Sequence, residues 1–197
     1  MNVRFDSILK VALVGVVLLI LSACASTGGP KNGESYPEKY LAATQEFERS
    51  ESSDLAVPDD LANFKKIFYD LKDPNLAEYI EQGYSDSLYF NDTVKSLSSR
   101  EELSRYLLET AEKVDYTRVY FNEVVKSGDN YFLLWKMETR FSAMGKQIEA
   151  DSIGMSQVRL DSQGKVNFHQ DFWDSAEGLY RHLPVVGYLV NKTRNQL

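Results

Sequence analysis

Beyond residue 114 the hydrophobic period of this chain changes from 3.6 residues to two and stays there as far as residue 174. The alternating runs are 117–126, 131–142, 146–160 and 165–173. Ser127-Gly128-Asp129-Asn130, Ala143-Met144-Gly145 and Asp161-Ser162-Gln163-Gly164 separate them, and all three are rich in residues that favour tight turns. Four long strands joined by such short connections form an antiparallel meander. Gly154, inside the third run, is expected to mark a bulge or bend.

The helical pattern lies upstream. Pro58-Asp59-Asp60 suits a first helical turn, and Leu61, Phe64, Ile67, Phe68 and Leu71 then recur at helical spacing up to Asp73-Pro74. A second short helix carries Leu76, Tyr79 and Ile80 as far as Gly83, and 87–92 reads as a short strand. Ser98-Ser99-Arg100-Glu101 reads as a capping box. The helix it opens has Leu103, Tyr106, Leu107, Thr110, Ala111 and Val114 on its inner face. Helices succeeded by a meander make an α+β domain with a strongly curved, antiparallel-rich sheet. The tail reads as two short helices split at Pro184, the second apolar on one side at Val185, Val186, Leu189 and Val190. Tyr180, Arg181 and His182 read either as a lid or as a solvated helix face.

The N-terminus is of another kind. Arg4 and Lys10 precede an apolar run at 11–21, which as a helix rises only about 16 Å, too short to span a bilayer core of about 30 Å. An export signal fits better. The run ends in Leu21-Ser22-Ala23-Cys24, which resembles the bacterial lipobox, where the cysteine is lipidated and becomes the mature N-terminus. Ala25 rather than Asp after it is expected to send the protein to the outer membrane, facing the periplasm. Cys24 is the only cysteine, so no internal disulfide is expected. The expected divisions are a lipoprotein signal peptide over 1–23, a tether over 24–57, the folded domain over 58–174 and a helical tail over 175–197. Loss of Arg4, Lys10 and Asp6 with the signal takes the formal charge from −7 to −8. That acidity argues against a nucleic-acid partner and against a polybasic grip on anionic lipid. Within the tether, Tyr40 to Phe47 is a candidate helical turn.

The order from Leu61 to Asp174 resembles the SnoaL-like branch of the nuclear-transport-factor-2-like superfamily. Its carriers are the two helices, the strand ending in Phe90-Asn91-Asp92, the helix over 98–114 and the four long strands. The closing His169-Gln170-Asp171-Phe172-Trp173-Asp174 is similar to the last-strand ending of limonene epoxide hydrolase relatives. Leu183-Pro184-Val185-Val186-Gly187 is similar to the segment after that ending in uncharacterised members. The resemblance implies a cone whose curved sheet wraps a pocket that the helices close.

Alternation on the last strand puts His169, Asp171 and Trp173 on one face and Val166, Phe168, Gln170 and Phe172 on the other. The resemblance makes the first set the pocket face. Asp171 is then the candidate general base, and His169 the candidate to share its proton or orient a substrate. A structural pair that holds the sheet's end is the equally weighted reading. Asp92 matches by position the base of ketosteroid isomerases, enzymes whose carboxyl groups are tuned by their surroundings, or else caps a turn. Their oxyanion tyrosine and acid fall on Ile67 and Ser156, so that chemistry lacks its partners. Trp135, Met137, Thr139 and Phe141 take the pocket parity of the second long strand, where the epoxide hydrolase mechanism wants Arg and Asp. Lys136, Glu138 and Arg140 fall outside unless a bulge intervenes. Asp92, Trp135, Met137, Thr139 and Trp173 are thus the candidate ligand contacts.

With His169 and His182 in different elements, no metal ligand set has the right spacing, and no cofactor motif is present. The aromatic residues Phe64, Phe68, Tyr131, Phe132 and Trp135 read as core. Three functions stay open: a lipid-anchored binder of a small apolar ligand, a hydrolase or isomerase using Asp171 with His169, and a non-catalytic homodimeric scaffold.

Overall fold

The computed structural model describes residues 57–143, 145–183 and 185–194, together with 37, 39, 40 and 196, all within the unit Tyr36–Leu197. The export signal, Cys24 and nearly all of the tether lie outside the described residues, as does the candidate turn after Tyr40.

A 3-10 turn at Asp59–Leu61 leads into α1 (Ala62–Tyr69), and α2 (Leu76–Gly83) comes next. Leu61, Phe64, Ile67, Leu76 and Ile80 are buried almost completely, each contributing about 1.5–3 kcal/mol relative to exposure. Gly83 lets the two helices close on each other, since a Cβ there would stand 3.1 Å from the Ile67 side chain and 3.3 Å from Asn63 Cβ. After α2 come β1 (Tyr84–Asn91), the short β2 (Ser96–Ser99) and α3 (Arg100–Lys113). β1 begins three residues earlier than expected because Tyr84, fully buried, already pairs with Val166.

The cap of α3 lies one residue later than the sequence pattern suggests. Ser99 is the N-cap, its Oγ accepting from the Glu102 N–H at 3.2 Å, while Glu102 accepts from the Ser98 N–H at 3.0 Å. Those bonds hold the Glu102 carboxyl below its ordinary range, the Ser98 N–H most of all. Ser99→Ala is expected to destabilise the domain by about 1 kcal/mol, read as a lower thermal midpoint; an unchanged midpoint would move the cap back to Ser98.

β3 (Val114–Ser127), β4 (Asn130–Ala143), β5 (Lys146–Leu160) and β6 (Val166–Trp173) form the meander. The sheet order is β2-β1-β6-β5-β4-β3. Only the β1–β6 pair is parallel; every other neighbouring pair is antiparallel. The chain therefore enters the sheet at one side, crosses through α3 to the far edge and returns strand by strand to β1. The inner face of the sheet, with α1 and α2, encloses a core of Phe64, Tyr84, Phe90, Phe121, Tyr131, Leu133 and Trp135.

Two of the bulges in this sheet bear on where side chains point. β3 carries one extra residue at Asn122, between the pairs Phe121↔Trp135 and Glu123↔Leu134. β6 carries one at Asn167, between Arg159↔Phe168 and Leu160↔Val166. The second corrects the expected alternation: Val166 turns inward and is 1% exposed, instead of sharing the outer face with Phe168, Gln170 and Phe172. Gly154 marks no bulge, because the β4–β5 ladder runs unbroken past Trp135↔Gly154.

Past β6 the chain forms α4 (Ser175–Gly178), a 3-10 turn at Tyr180–His182 and α5 (Val186–Arg194).

Candidate functional site

Four strands bring one chain of polar side chains together on the inner face. From β4, Trp135 Nε1–H donates to Ser156 Oγ of β5 at 2.9 Å. The Ser156 hydroxyl donates to Asp171 Oδ1 of β6 at 2.5 Å, these two residues facing each other directly across the strands. His169 Nε2 lies 2.8 Å from the same oxygen, and Tyr84 of β1 reaches His169 Nδ1 at 2.8 Å. A carboxylate only accepts, so His169 donates from Nε2 and leaves Nδ1 to accept the Tyr84 hydroxyl. Burial, reinforced by the Asp171 charge, pushes the Tyr84 hydroxyl well above its ordinary range, so it keeps the proton it donates.

His169 is sealed in. The ring is 1% exposed and meets Phe64, Phe68 and Phe90 edge-on at centroid distances of 5.1, 5.4 and 5.0 Å, with Tyr84 stacked at 6.3 Å. It reaches a ligand only through Asp171. The Asp171 side chain is 14% exposed, and both of its hydrogen bonds fall on Oδ1. Oδ2 has no partner among the described residues, nor does any Lys or Arg there pair with this carboxylate.

Trp173 lies two residues along the same face. Its ring centroid is 6.4 Å from that of Trp135, and its Nε1–H donates to the Asp92 carbonyl at 2.7 Å. The Asp92 carboxylate does two jobs. Oδ1 accepts the Val94 and Lys95 N–H groups at 2.9 and 2.7 Å, holding the turn into β2, while Oδ2 accepts the Tyr106 hydroxyl at 2.5 Å. Burial and the Asp92 charge push the Tyr106 hydroxyl well up.

Of the sequence candidates, His169, Asp171, Trp135, Trp173 and Asp92 thus belong to one connected region. Met137 and Thr139 share the inward parity of Trp135 but extend away along β4. Met137 packs against the core, and the Thr139 hydroxyl lies 3.4 Å from that of Thr117. Lys136 and Glu138 pair with each other at 2.9 Å, and Arg140 pairs with Glu149 at 3.2 Å. No bulge in β4 turns Glu138 or Arg140 inward.

The tail covers this face. A Cβ on Gly178 would stand 2.1 Å from Ser152 Oγ and 2.5 Å from the Trp173 ring, so only glycine lets α4 approach so closely. Ser152 Oγ, inward on β5, is buried with no hydrogen-bond partner among the described residues. Glu177, itself buried, pairs with Arg181 and Arg194, and Arg194 also donates to Asp174 at 2.5 Å. Tyr84, Ser152, Glu177 and Gly178 were not legible as site residues. Their only signal was polar or small character at inward strand parity or in the tail.

Two open grooves are present among the described residues, and Trp135, Gly154 and Trp173 line the second of them. One of about 810 Å³ beside α2 and α3 is lined by charged groups such as Glu81, Arg100, Arg105 and Glu109. The other, about 420 Å³, is lined by Tyr40, Leu134, Met155 and Phe172 among others. Among the described residues no three His, Cys, Asp or Glu side chains group as metal ligands.

The buried Tyr84 hydroxyl and the half-buried Tyr106 hydroxyl predict alkaline sensitivity. Above about pH 10 the unfolded chain sheds both protons while the fold retains them. Stability, fully present below that pH, then falls by up to about 1.4 kcal/mol per pH unit for each group. Urea midpoints should drop between about pH 10 and 11, and Tyr106→Phe should flatten the drop; the same slope in both proteins would remove Tyr106 from the account.

No family model matches the chain, and no curated protein matches it. Solved structures do. A protein from Shewanella denitrificans OS-217 described as a SnoaL-like polyketide cyclase superposes with a TM-score of 0.53 at 13% identity, over 61% of this chain and 94% of its own. A protein of the same description from Shewanella putrefaciens CN-32 gives 0.52 at 16%, over 61% and 93%. A hypothetical protein with a ketosteroid isomerase-like fold from Catenulispora acidiphila DSM 44928, in complex with trimethylamine, gives 0.51 at 12%, over 62% and 91%. With its six-stranded sheet and flanking helices, this chain therefore has the nuclear-transport-factor-2-like cone fold.

Proposed function

We propose that this is a lipoprotein of the bacterial envelope, anchored through Cys24 to the outer membrane, whose cone domain binds a small apolar molecule bearing a hydrogen-bond donor. The observation that carries the reading is Asp171. Its Oδ1 is saturated by Ser156 and His169, while Oδ2 has no partner among the described residues beside Trp173 on the inner face. The Asp171 side chain keeps 14% exposure, so this oxygen is open to an incoming N–H or O–H, the kind of partner a carboxylate accepts. An apolar surround with a few convergent polar groups is the usual make-up of a small-molecule site. That a protein of this fold has been solved with trimethylamine agrees with such a use.

A second reading is favoured by the Tyr84–His169–Asp171 chain. It forms a continuous hydrogen-bonded path by which Asp171 would act as general base in a hydrolase or isomerase, with His169 as its positioning residue. Native mass spectrometry of the mature chain, purified without denaturant, tests both. The wild type is expected to carry an added small mass and Asp171→Asn to arrive bare. A bare wild type contradicts the binding reading. Equal loading by Asp171→Asn, with loss of turnover on the released compound, establishes the enzyme instead.

A further inference from the structure

We infer that the tail from Asp174 to Arg194 is a lid that lifts off the cone as one piece and so governs entry to the inner face beside Trp173 and Asp171. Its part in ligand entry rests on the binding reading above; the opening itself does not.

The tail is braced from within. Glu177 is 5% exposed and its carboxylate pairs with both Arg181 and Arg194, while Arg194 also holds Asp174 at 2.5 Å. These pairs join α4, the Tyr180–His182 turn and α5. The backbone does the same: the N–H groups of Gly178, Leu179, His182, Leu183, Gly187 and Leu189 donate to carbonyls of the tail itself. Gly187 closes on the turn, since a Cβ there would stand 2.1 Å from the Arg181 carbonyl oxygen. Pulling one piece from the others would leave a buried charge unpaired, so the three move together.

Its hold on the cone is of another kind. Among the described residues, the hydrogen bonds and ion pairs of 175–194 have both ends past Trp173. α5 rests mainly on the turn, the turn on α4, and α4 on β5. What α4 brings to that contact is the bare backbone of Gly178, set against Ser152 and the Trp173 ring. Closure also leaves the Ser152 hydroxyl buried without a partner among the described residues, a cost that opening removes. A segment with so few bonds to the rest of a fold opens locally without unfolding it.

The boundary between fixed and moving parts is sharp. Trp173 is held to the cone by its bond to the Asp92 carbonyl, whereas Asp174 caps α4 and pairs with Arg194. The hinge therefore falls between Trp173 and Asp174. Along the inner face, the pair Ser156 and Asp171 is succeeded by Gly154 and Trp173, and then by Ser152. The lid sits over the outer end of this row. Lifting it bares the Trp173 ring first and opens the approach to Asp171, two residues further in.

Gly178→Ala in the full chain is the test, because the added Cβ would stand 2.1 Å from Ser152 Oγ and 2.5 Å from the Trp173 ring, a wedge under the lid. The chain has two tryptophans, and Trp135 is only 5% exposed, so added quenching of their emission by acrylamide reports on Trp173. Quenching should rise about twofold over the wild type while the urea midpoint holds, as local opening requires. A lower midpoint, or quenching that does not rise, makes the tail a fixed part of the core and overturns the lid. Hydrogen exchange of the wild type gives a second reading that no folding defect can disturb. The Leu179, Leu183 and Gly187 amides should exchange together and well before those of β5. Exchange in step with β5, or of Gly187 apart from the other two, overturns the proposal. A chain that passes both tests yet arrives bare in native mass spectrometry has the lid and lacks the ligand, so the two readings fail separately.

Discussion

Replacing His169 by alanine is expected to be among the most damaging single changes in the domain, costing about 4 kcal/mol, in the range measured for emptying a buried aromatic position. The ring touches Phe64 and Phe68 of α1 and Tyr84 and Phe90 of β1, which converge on it only in the fold. Its removal opens a void among them and strips a partner from the Tyr84 hydroxyl and from Asp171 Oδ1 at the same time. Unmatched buried polar groups add about 1–3 kcal/mol each where water cannot reach them. Urea denaturation monitored by circular dichroism reads the change. A loss below about 1 kcal/mol, the level of an ordinary surface substitution, would mean that the ring is not enclosed as described.

Gly154→Val is expected to be nearly as severe, at about 3 kcal/mol, the upper part of the range for overpacking a core. A Cβ at this position would lie 2.5 Å from the Trp135 ring and 2.8 Å from Trp173 Cβ. Neither neighbour is the free end of a flexible chain: Trp135 is pinned by its bond to Ser156, and Trp173 by its bond to the Asp92 carbonyl. The clash is specific, so adding Trp135→Leu should return a substantial part of the lost stability. A double-mutant cycle isolates that coupling. Additive losses from the two substitutions would show that Gly154 serves the backbone and not the indoles.

Much of this architecture was legible because period-two alternation and turn residues are local signals. Strands β3 to β6, the connections at Gly128 and Gly164, and the inward set Trp135, Met137 and Thr139 all derive from them. What escaped depends on pairing. A single extra residue at Asn167 reverses the face of everything before it, which is why Val166 is core although simple alternation sends it outward. Tyr84 and His169 are 85 residues apart and meet only because β1 lies parallel to β6, a neighbour relation that no local pattern encodes. Gly154 reads in the sequence as a bulge or bend, whereas the ladder is unbroken there and the missing Cβ leaves room for the Trp135 ring and Trp173 Cβ. The α3 cap shifted by one because Ser98-Ser99-Arg100-Glu101-Glu102 offers two overlapping serine-to-glutamate registers, and the fold uses the second. The site shows the same division. Asp171, His169 and Trp173 could be picked out as a set on one strand, but Ser156 as the bridge between Trp135 and Asp171, and Gly178 as the cover over Ser152, needed the register and the tail.

Nitrogen-15 spectroscopy of the His169 imidazole in the folded chain tests the arrangement most directly. A single slowly exchanging proton on Nε2, with Nδ1 showing the shift of a hydrogen-bond acceptor, is the result required by a ring locked between Tyr84 and Asp171 inside the cone. A proton on Nδ1, or one exchanging as fast as that of a ring in water, would contradict it. The proposal that the other Asp171 oxygen receives a ligand would then lose its structural basis.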